Sequence, residues 1–176
     1  MIELALETKV VVKLRVGDWQ VLSLSEISAA LLIEPTLDQE FKVITWSSVG
    51  AAKIASAYIL PATVAEALIE VPVVKLYAGG LRLRCAPACT WQVTRRHEGL
   101  ITVTASSLKS GDALSAHGRL GKDALHKLPG YAMHSSISLA QTKTANEKRA
   151  LSQVEVYGGS NLLLENGLFC GGMLVN

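Results

Sequence analysis

Residues 73–85 read VVKLYAGGLRLRC, and this stretch decides the fold class. Its first five residues favour β-strands, and Gly79-Gly80 supplies a tight turn or a bulge. After the turn, apolar residues alternate with basic ones. The apolar positions are Leu81, Leu83 and Cys85, and the basic positions are Arg82 and Arg84. The stretch therefore predicts a β-hairpin whose second strand has one dry face and one wet, basic face.

The same period-two pattern recurs on both sides of this stretch. Val10, Val12, Leu14 and Val16 share a face, and Gly17-Asp18 then turns the chain toward a partner strand. By this pattern we predict strands at 10–16, 19–24, 41–46, 52–60, 73–77, 81–85, 91–93, 100–105, 136–140, 151–157, 161–164 and 168–175. The chain is therefore predicted to be mostly β, an antiparallel β-sandwich or jelly roll in a single domain over 1–176.

One or two short helices are expected between these strands. Helical segments are predicted at 25–33 with Ser25 as cap, at 63–69 and at 110–128, and a polar loop at 142–149. Residues 110–128 are the main candidate, with Ser110 or Asp112 as cap and an end at Pro129-Gly130. Gly118 and Gly121 each cost about 1 kcal/mol relative to Ala inside a helix. Two short pieces are therefore expected there.

The composition is unusually apolar for a chain of 176 residues. Hydrophobic residues make up 49%, charged residues 18% and aromatic residues 5%, and the mean hydropathy is +0.31. The uncharged run Ile54–Ala65 is far shorter than the roughly 20 apolar residues of a membrane span. The N-terminus also lacks the pattern of a signal peptide. We therefore expect a cytosolic chain that covers its surplus apolar surface with copies of itself.

Positive charge is concentrated in the middle of the chain. Residues 1–74 carry five Lys/Arg and nine Asp/Glu, whereas residues 75–109 carry six Lys/Arg and one Glu. Such a band suits non-specific contact with the phosphates of a nucleic acid, although it also suits the solvent face of a few strands. The candidate nucleic-acid residues are Arg82, Arg84, Arg95 and Arg96.

The three cysteines, Cys85, Cys89 and Cys170, are interpreted as free buried thiols in a reducing compartment. A disulfide between Cys85 and Cys89 remains an alternative if Pro87 makes a tight turn. Cys85 and Cys89 with His97 give only three of the four ligands that structural zinc requires. Cys85 is also in phase with the core positions of its strand, so no metal site is predicted.

No motif in the sequence specifies a reaction. Cys89 or Cys170 could be paired with a histidine as nucleophile and base, but no local signature supports a pairing. The four histidines are His97, His117, His126 and His134, and the last three could also cluster as a pH-sensitive group. We therefore predict no catalytic residues, no cofactor and no enzymatic activity.

From residue 71 onward, the order of elements resembles a known family. A basic strand pair leads to the Thr- and Val-rich strand 100–105, then to a helical connection closing in LPGYAMHS at 128–135, and then to further strands. This order resembles the second half of the eight-stranded jelly roll of coat proteins from small isometric RNA viruses. Many such coats begin with a basic arm, whereas residues 1–74 here are net acidic.

This resemblance implies a self-assembling capsid subunit. The expected partners are copies of the same chain in an icosahedral shell, together with RNA bound without sequence preference. The expected location is the virion, assembled in the host cytoplasm. Two alternatives are a small β-barrel binding module or accessory subunit of a cytosolic complex, and an enzyme whose site is built from scattered residues.

Overall fold

The computed structural model describes residues 1–14, 17–33, 41–46, 52–60, 70–118, 125, 128, 131–157 and 161–172. For residues 32, 33, 52–60 and 157 the description covers the backbone alone. The predicted helix at 63–69 lies outside the described residues, as do His126 and Pro129-Gly130.

The described residues form fourteen strands and one α-helix. The elements are β1 (Ile2–Ala5), β2 (Lys9–Lys13), β3 (Trp19–Ser23), α1 (Leu24–Ile33), β4 (Lys42–Val43), β5 (Ala52–Leu60), β6 (Glu70–Ala78), β7 (Leu81–Cys85), β8 (Thr90–Arg95), β9 (Gly99–Thr104), β10 (Ala113–His117), β11 (His134–Lys148), β12 (Leu151–Tyr157), β13 (Asn161–Leu163) and β14 (Phe169–Gly171). The chain is thus mostly β, as predicted.

The strands follow one continuous path that nearly closes on itself. Their order is β13-β14-β8-β10-β11-β6-β7-β1-β12-β5-β4-β2-β3, with β9 paired to β8 beside the path. The long strand β11 joins the two parts, because its first residues pair with β10 and the rest pair with β6. A bridge between Val10 and Leu164 connects the two ends of the path. The result is a barrel-like fold with a shared interior.

The hairpin predicted at 73–85 is confirmed. Gly79 and Gly80 have φ values of +59° and +77°, so both central residues of the two-residue turn are left-handed. This conformation matches the twist of the flanking strands and favours glycine. Across the turn, Ala78 pairs with Leu81 and Leu76 pairs with Leu83. Leu83 and Cys85 are buried, and Arg82 is exposed, so the predicted dry and wet faces are present.

Many of the apolar residues lie in strands that are buried on both faces. In β2, Val10, Val11 and Val12 are all 0% exposed. Val10 and Val12 belong to the main core with Trp91, whereas Val11 packs into a second cluster with Phe169. In the described part of the chain, the exposed large hydrophobic residues are Met1, Tyr77 and Tyr131. The interior therefore accounts for much of the surplus apolar surface inferred from composition.

The helix α1 begins earlier than predicted because Ser23, not Ser25, caps it. The Glu26 backbone N–H donates to Ser23 Oγ at 3.2 Å, and Ser23 Oγ donates to the Glu26 carboxylate at 3.0 Å. Leu24 and Ile27 are 0% exposed and hold the helix on the core. Among the described residues, no helix is long and apolar enough to cross a membrane.

The helix predicted at 110–128 is wrong where the structure describes it. Residues 113–117 form β10, which pairs with β11 on one side and with Thr94 and Val93 of β8 on the other. Pairing on both sides overrides the helical spacing of the apolar residues. The polar loop predicted at 142–149 is also wrong, since β11 continues to Lys148 against β6. The short strand β1 was not predicted.

The jelly-roll prediction is also wrong. A jelly roll packs two separate antiparallel sheets against each other. Here β11 pairs with β10 over its first residues and with β6 over the rest, so the strand pairing continues from one part of the barrel to the other. In addition, β14 pairs with β8 in parallel. The mostly antiparallel pairing is confirmed, but the connection pattern is different.

Candidate functional site

The three cysteines meet at one point in the interior. Cys85 ends β7, Cys89 immediately precedes β8, and Cys170 lies in β14, which runs beside β8. All three are free and 0% exposed. The predicted free buried thiols are therefore confirmed, and the alternative disulfide between Cys85 and Cys89 is not formed. We call these three residues the cysteine cluster.

The shortest contact in the cysteine cluster joins residues that are distant in sequence. Cys89 Sγ and Cys170 Sγ are 3.4 Å apart, within hydrogen-bond distance for sulfur. Cys85 Sγ lies 3.8 Å from the carbonyl oxygen of Val74. A turn between β7 and β8 places Cys89, because its backbone N–H donates to the carbonyl of Ala86 at 3.0 Å.

Within the cysteine cluster, one thiol has a lowered pKa and the other two have raised pKa values. Complete burial opposes ionisation of Cys89, but hydrogen bonds from Cys170, from Cys85 and from the Glu3 backbone N–H hold its pKa well below the usual range. Hydrogen bonding to Cys89 together with burial raises the pKa of Cys85. Burial, together with the hydrogen bond to Cys89, raises the pKa of Cys170. Cys89 is therefore the thiol most easily converted to a thiolate, the nucleophilic form.

The beginning of the described chain is bound to the same turn. Thr90 donates two hydrogen bonds to the carbonyl oxygen of Met1, from its backbone N–H and from its hydroxyl, both at 2.9 Å. The Ala86 N–H donates to the carbonyl of Glu3 at 3.0 Å. Burial and the charge of Cys89 raise the pKa of the Glu3 carboxyl. Residues 1–3 thus lie along the cysteine cluster with one carbonyl polarised by two donors.

The far end of the described chain reaches the same strand. Cys170 and Gly171 lie opposite Trp91 in β8. The buried side chain of Asn161 holds this end, because it donates to the Gly172 carbonyl at 3.3 Å and accepts from the Trp46 N–H at 2.7 Å. A Cβ on Gly172 would lie 2.5 Å from Thr102 Cγ2, so this glycine permits a close approach to β9. The two ends therefore meet at residues 89–91.

Of the three histidines that the structure describes, two lie together and one lies apart. His117 and His134 face each other across β10 and β11. The His134 ring stacks on Trp46 with centroids 3.7 Å apart, and His117 lies against Phe169. His97 is exposed in the turn between β8 and β9. Since β8 spans six residues, or roughly 20 Å, His97 cannot join Cys85 and Cys89 around one metal ion.

The four arginines predicted to contact nucleic acid fall in two places. Arg82 and Arg84 lie on the outer face of β7. Arg95 donates to the two carboxylate oxygens of Asp112 at 3.1 and 2.9 Å, and Arg96 is exposed in the next turn. Asp112, predicted as a helix cap, therefore binds Arg95 at the end of β8 instead.

In the described part of the chain, no three His, Cys, Asp or Glu side chains are arranged to hold a metal ion.

Sequence reasoning placed Cys85 in the core but missed the site. Period-two patterning shows which residues face inward, and it gives no information on which distant strands become neighbours. The contact between Cys89 and Cys170 spans 81 residues, and that between Met1 and Thr90 spans 89. Gly171 and Gly172, which follow Cys170, were a sequence feature that indicated close packing of the backbone at this position.

Comparison with solved structures identifies the fold. The transcription factor IIB Mvu mini-intein matches with a TM-score of 0.69 and 9% identity, over 98% of this chain and 100% of that one. The PabCDC21-1 intein matches with a TM-score of 0.67 and 16% identity, over 98% and 99%. A bacterial intein-like domain from Clostridium thermocellum matches with a TM-score of 0.62 and 12% identity, over 98% and 99%. At these identities the similarity establishes an intein-like fold.

No protein-family model matches the sequence, and no curated protein matches it significantly.

The structural similarity corrects the predictions that followed from the capsid resemblance. The neighbours are inteins, so the coat-protein family, the capsid function and the virion location are wrong. The alternative of a small β-barrel module is closer in shape, but it is a different kind of protein. The prediction of no enzymatic activity conflicts with the fold, because inteins are self-splicing domains that cleave and join peptide bonds. Whether the chain associates with itself stays a prediction.

Proposed function

We propose that this chain is an intein-like domain embedded in a longer protein, where it breaks a peptide bond at its own boundary. One observation carries the proposal: the two ends of the described chain meet at residues 89–91, beside a thiol of lowered pKa. A domain that acts on its own boundaries needs those boundaries at one reactive group, and this fold provides that arrangement.

We infer that Cys89 is the nucleophile. Cys89 has the lowered pKa, and it directly precedes Thr90, whose N–H and hydroxyl donate to the Met1 carbonyl. Cys85 and Cys170 act as hydrogen-bond donors that stabilise its thiolate.

The inferred reaction begins at the carbonyl of Met1. The Cys89 thiolate attacks the carbonyl carbon, and the oxygen becomes an oxyanion held by the N–H and hydroxyl of Thr90. The bond between the Met1 carbon and the Ile2 nitrogen then breaks, and the acyl group remains on Cys89 as a thioester. The nitrogen takes a proton, for which the nearby Glu3 carboxyl, with its raised pKa, is the candidate donor. Water attacks the thioester to release the acid and restore the thiol.

The direct test is a fusion protein with one reporter domain before Met1 and another after Asn176. We expect a new N-terminus at Ile2 in the products, identified by mass spectrometry. Cys89→Ala should abolish the cleavage, and Thr90→Val should slow it about 100-fold, the scale for losing one oxyanion donor. The matched control is Cys85→Ser, which keeps a hydrogen-bond donor and should retain cleavage. A fusion that stays intact between pH 6 and 9, or one that is cleaved equally by Cys89→Ala, would refute the proposal.

A further inference from the structure

A basic groove of about 510 Å³ lies on the outer face of β7, β6 and β11, away from the cysteine cluster. Six of the residues that line it carry long polar or charged side chains on three neighbouring strands. They are Lys75, Tyr77, Arg82, Arg84, Gln141 and Lys143. All six lie in the described part of the chain.

The strand register arranges these side chains in two rows. Arg84 lies opposite Lys75, which lies opposite Lys143 on its other side. In the next row, Arg82 lies opposite Tyr77, which lies opposite Gln141. Like charges directly opposite each other on neighbouring strands are destabilising. The first row therefore places three cations where the sheet alone would not favour them.

One carboxylate compensates only part of this charge. Glu147 Oε2 is 3.2 Å from Lys75 Nζ, and Glu147 Oε1 is 2.8 Å from Arg84 Nε. The same Oε1 also accepts from Arg149 Nε at 3.0 Å. Among the described residues, Arg82 and Lys143 have no carboxylate partner. The groove therefore keeps an excess of positive charge, which suits a ligand with several negative charges.

The second row adds an aromatic surface to this charge. Tyr77 is 40% exposed although it belongs to a strand in the middle of the sheet. The Arg82 guanidinium carbon is 5.9 Å from the centroid of the Tyr77 ring. An exposed ring beside an arginine, next to a row of cations, is the combination that binds bases and phosphates of single strands.

We propose that this groove binds single-stranded nucleic acid. The phosphates lie along Arg84, Lys75 and Lys143, and one base stacks on Tyr77 next to Arg82. The proposal retains Arg82 and Arg84 from the sequence prediction and leaves out Arg95 and Arg96, which do not line the groove. It is independent of the peptide-bond chemistry inferred for Cys89, because it concerns the opposite face of β7.

The test measures the anisotropy of a fluorescent oligo(dT) strand titrated with the full chain at increasing salt. Each phosphate contact contributes about −0.7 to the slope of log K against log salt, so three contacts give a slope near −2. The double variant Arg82→Glu/Lys143→Glu should weaken binding at least about 10-fold. The matched control Arg96→Glu should change it less than about 2-fold. No binding at low salt, or an equal loss in the control, would overturn the proposal.

Variants of Tyr77 separate a nucleic acid from other polyanions. Tyr77→Leu should weaken oligo(dT) binding about 5-fold or more, the scale of one stacked base, whereas Tyr77→Phe should retain it. Heparin carries negative charge without bases, so its affinity should be equal in the wild type and in Tyr77→Leu. An equal effect of Tyr77→Leu on both ligands would assign the groove to polyanions in general and would contradict the proposal. Because Tyr77 is partly exposed, circular dichroism should show folded variants.

Discussion

The two faces of β7 belong to regions with opposite physical character. Its inward positions end at Cys85, in a cluster where three thiols have no exposure to solvent. Its outward positions, Arg82 and Arg84, line an open groove in which charge is only partly neutralised. The inner region depends on hydrogen bonds of defined geometry, whereas the outer region depends on charge and an exposed ring. A single alternating strand thus supplies two sites that can be altered independently.

This difference follows from the solvent on each side. In the dry interior, a hydrogen bond to a thiolate is strong because water does not compete for it, so small changes alter reactivity. On the wet face, water and salt screen each charge, so single substitutions have smaller effects on stability. Substitutions in the interior should therefore change the free energy of unfolding or the reactivity of the thiols. Substitutions on the outer face should mainly change ligand affinity.

The largest contrast is expected between two aromatic residues. Trp91→Ala should lower the free energy of unfolding by about 3–5 kcal/mol, because Trp91 is 0% exposed in the main core. Tyr77→Ala, on the open face, should lower it by no more than about 0.5 kcal/mol. Urea denaturation of the two variants measures both values. Similar losses would mean that the outer face also carries the fold.

The next effect concerns the far end of β8. Asp112→Asn should lower the free energy of unfolding by about 1–2 kcal/mol, since it removes the carboxylate partner of the partly buried Arg95, which keeps its hydrogen bond to the Ser107 carbonyl. Burial opposes ionisation of Asp112, but the Arg95 guanidinium outweighs it and holds the pKa of this carboxyl below its usual range. Its stabilisation is therefore present above about pH 4 and is lost as the pH falls through the lowered value.

Denaturation at several pH values tests that pair. The difference between wild type and Asp112→Asn should be largest near neutral pH and should shrink under acidic conditions. A difference that stays constant down to pH 2 would show that the charge of Asp112 has no role.

A smaller effect is expected within the cysteine cluster. Cys170→Val removes a hydrogen bond to Cys89 and should raise the pKa of the Cys89 thiol, which ultraviolet absorbance of the thiolate reports. Cys170→Ser keeps a donor and should leave the titration of Cys89 closer to that of the wild type. If Val and Ser shift the titration equally, the thiol of Cys170 does not stabilise the thiolate.

The smallest effect on stability is expected at Glu147. Glu147→Gln should change the free energy of unfolding by no more than about 1 kcal/mol, because its ion pairs are partly exposed. The same substitution should tighten oligo(dT) binding, since it removes the carboxylate beside Lys75 and Arg84. Unchanged or weaker binding in the anisotropy assay would contradict the role assigned to the charge of the groove.

The local pattern of residues 73–85 was sufficient to predict the β6–β7 hairpin, its glycine turn and the inward position of Cys85. The same reasoning failed at residues 113–117, where helical spacing was overridden by pairing with β8 and β11. It also missed β1, whose four residues gain their order from β12 and β7. These failures share a cause, because in each case a distant strand decides the structure.

The candidate site depended even more on distant contacts. Free buried thiols could be predicted from the phase of Cys85 and the number of cysteines. No spacing in the sequence indicated that Met1 would bind Thr90 or that Cys170 would lie 3.4 Å from Cys89. The capsid resemblance relied on the order of elements over residues 71–176, and this order was wrong at the predicted helix. Part of the basic groove could be predicted from the sequence, because Arg82 and Arg84 alternate with apolar residues along one strand.

The most direct test of Cys89 as the nucleophile is to capture the thioester. A fusion with a reporter domain before Met1 is treated with hydroxylamine, and the products are identified by mass spectrometry. We expect a reporter fragment that ends in a hydroxamate on the Met1 carbonyl, formed by the wild type and not by Cys89→Ala. A hydroxamate formed equally by Cys89→Ala, or no captured fragment from the wild type, would contradict the mechanism.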